Sequence, residues 1–331
     1  MIEIIISKDE YNQRVDKFLL KYFNNASKSF IYKMLRKKRI KLNKKRINGN
    51  EILKEKDILQ IYMAEETIEK FSNTIYKSLD ILITFRVIYE DDNVLICNKP
   101  VALLSQPDNS GNISLVDEVI SYLVKKGEYN PELTKGFRPG ICNRLDRNTS
   151  GIVIAGKNIQ ALQHLNNIIS NHNLDKHYMC IVKGKISSKN TIEGYLSKDS
   201  TNNKVTINSN KNIGSYIKTI YNPIEIGKDI TLLDVQIITG KSHQIRAHLA
   251  SIGHPIIGDY KYGDKKLNDE YKNKFNLKYQ LLHAYRVKFN IKDGILKYLD
   301  NKEFVSHLDG KFQKIVEVNF NEYKGSSKKL Q

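Results

Sequence analysis

Apolar residues recur along this chain with two periods, and the change from one to the other divides it. In QRVDKFLLKYF, residues 13–23, Val15, Phe18, Leu19 and Tyr22 fall at i, i+3, i+4 and i+7, one stripe of a helix. NNAS breaks the pattern and leaves Ser27 placed as an N-cap. A second helix is predicted over SKSFIYKMLRKKR, with Phe30, Ile31, Met34 and Leu35 facing inward. A short strand IKLN, a turn at Asn48-Gly49 and a strand DILQIY complete a small helix-plus-hairpin unit, residues 12–63. Residues 64–84 lack clear periodicity and read as a linker.

From FRVIYEDDNVLICNKP onward, strand-like runs (VLICNK, GIVIAGK, HYMCIVKG, ITLLDVQII) alternate with helical stretches (SLVDEVISYLVKK, NIQALQHLNNIIS, SHQIRAHLASIG). That texture predicts an α+β domain with a mixed sheet over residues 85–320. The end, residues 321–331 with YKGSSKKLQ, reads as a frayed tail. No internal repeat is visible.

Composition narrows the partner. The chain has 331 residues and a formal charge of +18, which suggests about two domains and a polyanionic partner, nucleic acid before membrane. The start, MIEIIISKDEYNQRVDKF, has no basic leader and is not read as a signal peptide. No apolar run reaches the ~18 residues of a membrane span. Three scattered cysteines, Cys97, Cys142 and Cys180, form neither a disulfide framework nor a CxxC site. Only 10 of the 54 basic residues are Arg. If Lys is favoured by compositional drift, each remaining Arg marks a candidate place where a planar fork is needed.

Charge is concentrated. Between Ser27 and Arg46 stand Lys28, Lys33, Arg36, Lys37, Lys38, Arg39, Lys41, Lys44, Lys45 and Arg46, with no acidic residue. A solvated helix face normally mixes signs. A one-sign patch on a small module fits phosphate contacts that position a protein on nucleic acid.

Three stretches carry candidate chemistry. In NRLDRNTSG, residues 143–151, Asp146 lies between Arg144 and Arg147 in a loop entering the strand IVIA. An ionised Asp there can act as nucleophile or general base, or can cap the following turn. TGKSHQIRAHLASIGHPIIGDYKYG, residues 239–263, reads as strand, tight turn and helix, and gathers Gly240, Ser242, His243, Gln244, Arg246, His248, His254 and Asp259. His243 and His248 are five apart and do not share a helix face, which argues against a metal site. The remaining polar groups suit a substrate pocket. In KHYMCIVKG, Tyr178 is a core tyrosine with a bonded hydroxyl, or a platform for a flat base.

These residues carry a resemblance. NRLDRNTSGIVIAGK and TGKSHQIRAHLASIGHPIIGDYKYG resemble the two long motifs of the RluA/RluC/RluD family of pseudouridine synthases. YEDDNVLICNKP is similar to that family's opening strand, and LLHAYRVKF to its late one. VDKFLLKYFNNASKSFIYKMLRKKRIKLNKKRI resembles the S4 RNA-binding domain that precedes the catalytic domain, closest to RluC-type enzymes. The likeness spans residues 12 to about 320. It implies a largely antiparallel mixed sheet in the second domain. It implies Asp146 as catalytic aspartate, Arg144 as the arginine that helps displace the target nucleotide, and Tyr178 against base and sugar. Arg246 would pair with the aspartate, with Ile245 as an apolar neighbour. Lys28, Lys33, Arg36, Lys37, Lys38, Arg39, Lys44, Lys45 and Arg46 would meet RNA. Four positions depart from the pattern: Asn143 for His, Asn148 for Asp, Ala102 for Gly and Lys241 for Arg.

The expectation is a monomeric cytoplasmic enzyme acting on 23S ribosomal RNA or a large-subunit precursor, with no cofactor, metal or membrane. It would break the uridine N-glycosidic bond, turn the uracil and join C5 to C1′ of the ribose, on a nucleotide taken out of its stack. The rivals are a non-catalytic RNA-binding or ribosome-assembly protein, a synthase acting on another RNA, and a hydrolase.

Overall fold

The computed structural model describes residues 1–72, 81–199, 204–208 and 214–320. The expected tail and the middle of the expected linker, 73–80, lie outside the described residues.

The chain begins with β1 (Ile2–Ile5), α1 (Val15–Tyr22), α2 (Lys28–Arg36), β2 (Ile40–Leu42), β3 (Lys45–Arg46), β4 (Ile58–Ile61) and α3 (Glu65–Ser72). The strands form one sheet in the order β1-β4-β2-β3, antiparallel throughout. Val15, Phe18 and Leu19 of the expected stripe are buried, with Tyr22 packed at its margin. In α2, Ile31 and Leu35 are buried, while Phe30 and Met34 are half-buried. Ser27 caps α2, its hydroxyl accepting from Phe30 N–H at 3.2 Å.

This helix ends earlier than its basic run suggests. Arg39 N–H donates to Met34 O and Lys38 N–H to Leu35 O, a Schellman closure with Lys38 left-handed at φ 60°. A tight hairpin that the pattern did not show follows: β2 and β3 join through Asn43 and Lys44, both at positive φ. The outer segments also need correction. β1 pairs with β4 ahead of residue 12, and α3 lies inside the stretch read as featureless linker. Ile68 and Phe71 of α3 pack onto the small core.

The second part holds β5 (Arg86–Glu90), β6 (Val94–Lys99), α4 (Leu115–Lys125), β7 (Gly140–Ile141), β8 (Ser150–Gly156), α5 (Ile159–Ser170), β9 (Leu174–Lys183), β10 (Asn190–Asp199) and β11 (Lys204–Asn208). It continues with β12 (Ser215–Ile226), β13 (Ile230–Ile237), α6 (Gln244–Ser251), α7 (Lys265–Phe275), β14 (Leu282–Phe289), β15 (Glu303–Val305) and α8 (Gly310–Asn319). Eleven strands make one sheet, β11-β10-β12-β13-β9-β14-β8-β6-β5, with β15 on β14 and β7 on β8. Among the described residues, β14–β8 is the only parallel strand pair in it. The fold is α+β, as the alternating texture predicted.

Every residue of β8 is buried. Val153 and Ala155 join the core that includes α4, while Ile152 and Ile154 face Leu165 and Ile168 of α5. A strand buried on both faces reads as a continuous apolar run. At its start Gly151 has φ 115°, and a Cβ there would lie 2.2 Å from Ala284 O of β14. Glycine therefore lets the two parallel strands meet beside the NRLD loop. The small part docks on the large one through Gln13 Nε2 to Gly136 O (3.0 Å) and Gly136 N–H to Glu10 Oε1 (2.7 Å).

Candidate active site

The loop between β7 and β8 is braced from three directions. Asn143, at the position where the family usually has His, copies a strand residue: Nδ2 donates to Ile152 O (3.0 Å) and Oδ1 accepts from Ile154 N–H (2.8 Å). Ser105 Oγ accepts from Leu145 N–H (3.0 Å) and donates to Leu145 O (2.6 Å). Lys99, fully buried, donates to Pro100 O, Leu103 O and Arg147 O. Burial pulls the Lys99 pKa down to about 7, while three carbonyls match the three hydrogens of an ammonium. Arg147 Nε donates to Ala102 O at 3.1 Å. Ala102 itself is left-handed at φ 66°, a conformation that suits the Gly usual there.

Asp146 thus emerges from a rigid loop with its side chain 26% exposed. Arg246, in the first turn of α6, donates from Nη1 to Asp146 Oδ2 at 2.8 Å. Its other edge grips a second carboxylate: Nε to Asp259 Oδ2 at 2.7 Å and Nη2 to Asp259 Oδ1 at 2.9 Å. Sequence reading placed Asp259 among the polar residues of its stretch but gave it no task. It is buried and accepts from Lys261 N–H and Tyr262 N–H as well. Burial pushes the Asp259 pKa up, yet Arg246 and these donors outweigh that and hold it below the usual carboxylate range. The same pair raises the Arg246 pKa against its own burial. Asp146 Oδ1 accepts no hydrogen bond among the described residues.

The turn ahead of α6 is set by Gln244. Its Oε1 accepts from Thr239 Oγ1 and Lys241 N–H, and its Nε2 donates to Lys218 O and Thr219 Oγ1. Thr219 also meets His248 Nδ1 at 2.8 Å, so β12 holds α6 at two points. His248 is buried with its pKa lowered to about 4, while His243 stands at the cleft. The two therefore do not meet. No cluster of three or more His, Cys, Asp or Glu able to hold a metal ion occurs among the described residues. No described helix is long and apolar enough to cross a membrane.

Asp146, Tyr178, Ile245 and Arg246 line one open cleft of about 370 Å³, solvent-filled mouth included, with Leu282 opposite. Tyr178 and Ile245 are buried. Tyr178 is part of the buried core, but its hydroxyl makes no hydrogen bond among the described residues and its ring lines the cleft. Burial, and then the Asp146 charge, raise its pKa. Arg144 is exposed at the rim, its Nη1 donating to Gln106 Oε1 at 3.2 Å. The basic residues of α2 and the β2–β3 hairpin lie apart from the cleft. All ten are exposed except half-buried Lys41, and none makes an ion pair among the described residues.

Comparison with known proteins identifies the family. The family described as RNA pseudouridylate synthase matches residues 93–251, and the S4 domain matches residues 13–59. An uncharacterized RNA pseudouridine synthase of Mycoplasma capricolum is 34% identical over 316 residues, 93% of this chain and 98% of its own. Ribosomal large subunit pseudouridine synthase C of Vibrio parahaemolyticus is 31% identical over 294 residues, covering 86% of this chain and 87% of that one. The solved human RNA pseudouridylate synthase domain containing 4 shares the fold at TM-score 0.56 and 20% identity, over 70% of this chain and 91% of that one. Fold and matches together define an RNA-modifying isomerase. The chain belongs to the RNA pseudouridine synthase family and carries an S4 domain ahead of the synthase fold.

Proposed function

We propose that the protein converts specific uridines of 23S ribosomal RNA, free or in a large-subunit precursor, to pseudouridine, with Asp146 as the catalytic aspartate. One observation carries this reading: Asp146 is the single carboxylate lining the cleft among the described residues, with Oδ2 held by Arg246 and Oδ1 free. A carboxylate so placed can attack C1′ as nucleophile or take a proton at the sugar. Tyr178, Ile245 and Leu282 give the uracil a flat, largely apolar berth in which to turn. Arg144 at the rim is placed to fill the gap left by a flipped nucleotide. The exposed bases Lys28, Lys33, Arg36, Lys37, Lys38, Arg39, Lys44, Lys45 and Arg46 position the RNA by its phosphates. The 23S target draws its support from the relatives named for the large subunit.

The test is direct. Forming the C5–C1′ bond expels the hydrogen on C5, so tritium at that position is released as water. Incubation with 23S RNA from cells lacking the gene is expected to release tritium and no free uracil. Free uracil with retained tritium would indicate a hydrolase. Release only from another RNA would move the target, and binding without release from any RNA would indicate an assembly protein.

A further inference from the structure

His243 stands at the cleft with no task in the chemistry above. Its ring lies between two fixed groups. Nδ1 is 2.9 Å from the Tyr262 hydroxyl, and Nε2 is 3.9 Å from Asp146 Oδ2. The Tyr262 oxygen already accepts Val205 N–H from β11 at 3.0 Å. Among the described residues the one acceptor within reach of its own hydrogen is His243 Nδ1. With that hydrogen donated to Nδ1, the neutral imidazole carries its proton on Nε2. Burial lowers the His243 pKa, against the opposing pull of Asp146, which favours the neutral ring. The chain Val205 N–H, Tyr262 O–H, His243 Nε2–H therefore ends in a donor turned toward the catalytic carboxylate.

A separation of 3.9 Å is too long for a hydrogen bond. It does admit an oxygen at about 2.8 Å from both ends. That oxygen must accept from an N–H and donate to a carboxylate. Phosphate oxygens and uracil carbonyls only accept, and uracil N3–H only donates, whereas a hydroxyl, like a water it would displace, does both. The ribose 2′-hydroxyl is the hydroxyl adjacent to C1′. We propose that His243 Nε2–H and Asp146 Oδ2 together hold the 2′-hydroxyl of the target nucleotide, so that the site itself selects ribose over deoxyribose. This rests on the reading of Asp146 as acting at C1′. It also gives the edge hairpin a part: β11 orients a cleft residue through Tyr262.

The experiment compares two fragments of 23S RNA that differ only in carrying uridine or 2′-deoxyuridine at the target mapped by tritium release. Single-turnover rate constants at saturating fragment are measured for wild type, His243→Phe, His243→Asn and Tyr262→Phe. Wild type is expected to prefer the ribose fragment by ~10- to 100-fold, the scale of one hydrogen bond to a buried polar group. His243→Phe should shrink that ratio to within about threefold by removing the donor. His243→Asn, which keeps an N–H, should restore part of it. Tyr262→Phe leaves the imidazole and releases its tautomer; it should lower the ratio even if His243→Phe fails to fold. An unchanged ratio in His243→Phe or Tyr262→Phe overturns the inference, as does complete refusal of the deoxy fragment by all four proteins. A wild type indifferent to the 2′-hydroxyl overturns it too. Wild type inactive on the ribose fragment strikes the synthase reading first, a result distinct from an unchanged ratio in an active enzyme.

Discussion

Arg246 and the arginines around α2 carry the same charge and are held in opposite ways. The Arg246 side chain is 9% exposed, and three of its nitrogens are committed to two aspartates. Arg36, Arg39 and Arg46 are exposed and have no ion pair among the described residues. A buried guanidinium between two carboxylates acts at short range and sets a geometry, which its planar fork suits better than an ammonium. Exposed cations of one sign act at long range, and salt screens them. Under the proposed function the two kinds of arginine divide the work, short-range chemistry in the large sheet and RNA docking on the small one, and each substitution tests one side of that division.

The largest effect is expected at Asp146. Asp146→Asn keeps the shape and removes the charge. Turnover should fall by more than about a thousandfold, as loss of a nucleophile or base does, while RNA affinity stays near normal. Tritium release and a binding titration on one preparation check both halves. Near-normal turnover would sink the assignment.

Asp259→Ala comes next, through stability. It strands the buried Arg246 charge, and breaking such a pair costs about 3–5 kcal/mol. Urea unfolding reads it, and a loss below 1 kcal/mol would show that Asp146 alone satisfies the arginine. The folded pKa of Asp259 is lowered, so its contribution is complete above the ordinary carboxylate range. That contribution is lost as pH falls through the folded value.

On the docking side, Arg36, Lys37, Lys38 and Arg39 replaced together by Gln should flatten log affinity against log salt by up to about 3. Turnover at saturating RNA should hold. An unchanged slope in a folded mutant would mean that these residues merely solvate a helix.

Acid offers a milder separation. His248 and His283 are buried with pKa values lowered to about 4, and no histidine precedes residue 164. Depressed values mean that their contribution is present above the unfolded value of about 6.5 and is lost as pH falls toward 4. Hydrogen exchange should therefore quicken at β8 and β14 before it quickens at α2. Equal acceleration in both would contradict the assignment.

The smallest effect sets the two sides against each other at one residue. Lys38 is left-handed, a strain of roughly 1–2 kcal/mol for a residue with a Cβ. Lys38→Gly should stabilise the protein by up to about 1 kcal/mol while reducing the salt slope by about 0.7–0.9. Thermal melts and salt titrations on the same variant would reveal a loss of stability, which would contradict the reading.

Much of this was legible along the chain. The stripe of Val15, Phe18 and Leu19, the cap at Ser27 and the apolar run of β8 are local patterns, and local patterns dictate local structure. The long motifs marked Asp146 and Arg246. The β2–β3 hairpin was not legible, because Asn43-Lys44 lacks the Gly that announces a two-residue turn. Helix α3 is short and packs only Ile68 and Phe71, too little to show a period. The sequence by itself thus determined the α+β class, the basic one-sign surface and which residues are candidates for chemistry. Only the tertiary structure decided that Asp259 shares Arg246 with Asp146, that Asn143 braces the loop as a strand mimic, and that β11 reaches His243 through Tyr262. Composition and periodicity report on a residue and its near neighbours. A hydrogen bond between residues a hundred positions apart exists only when the sheet brings their strands and loops together.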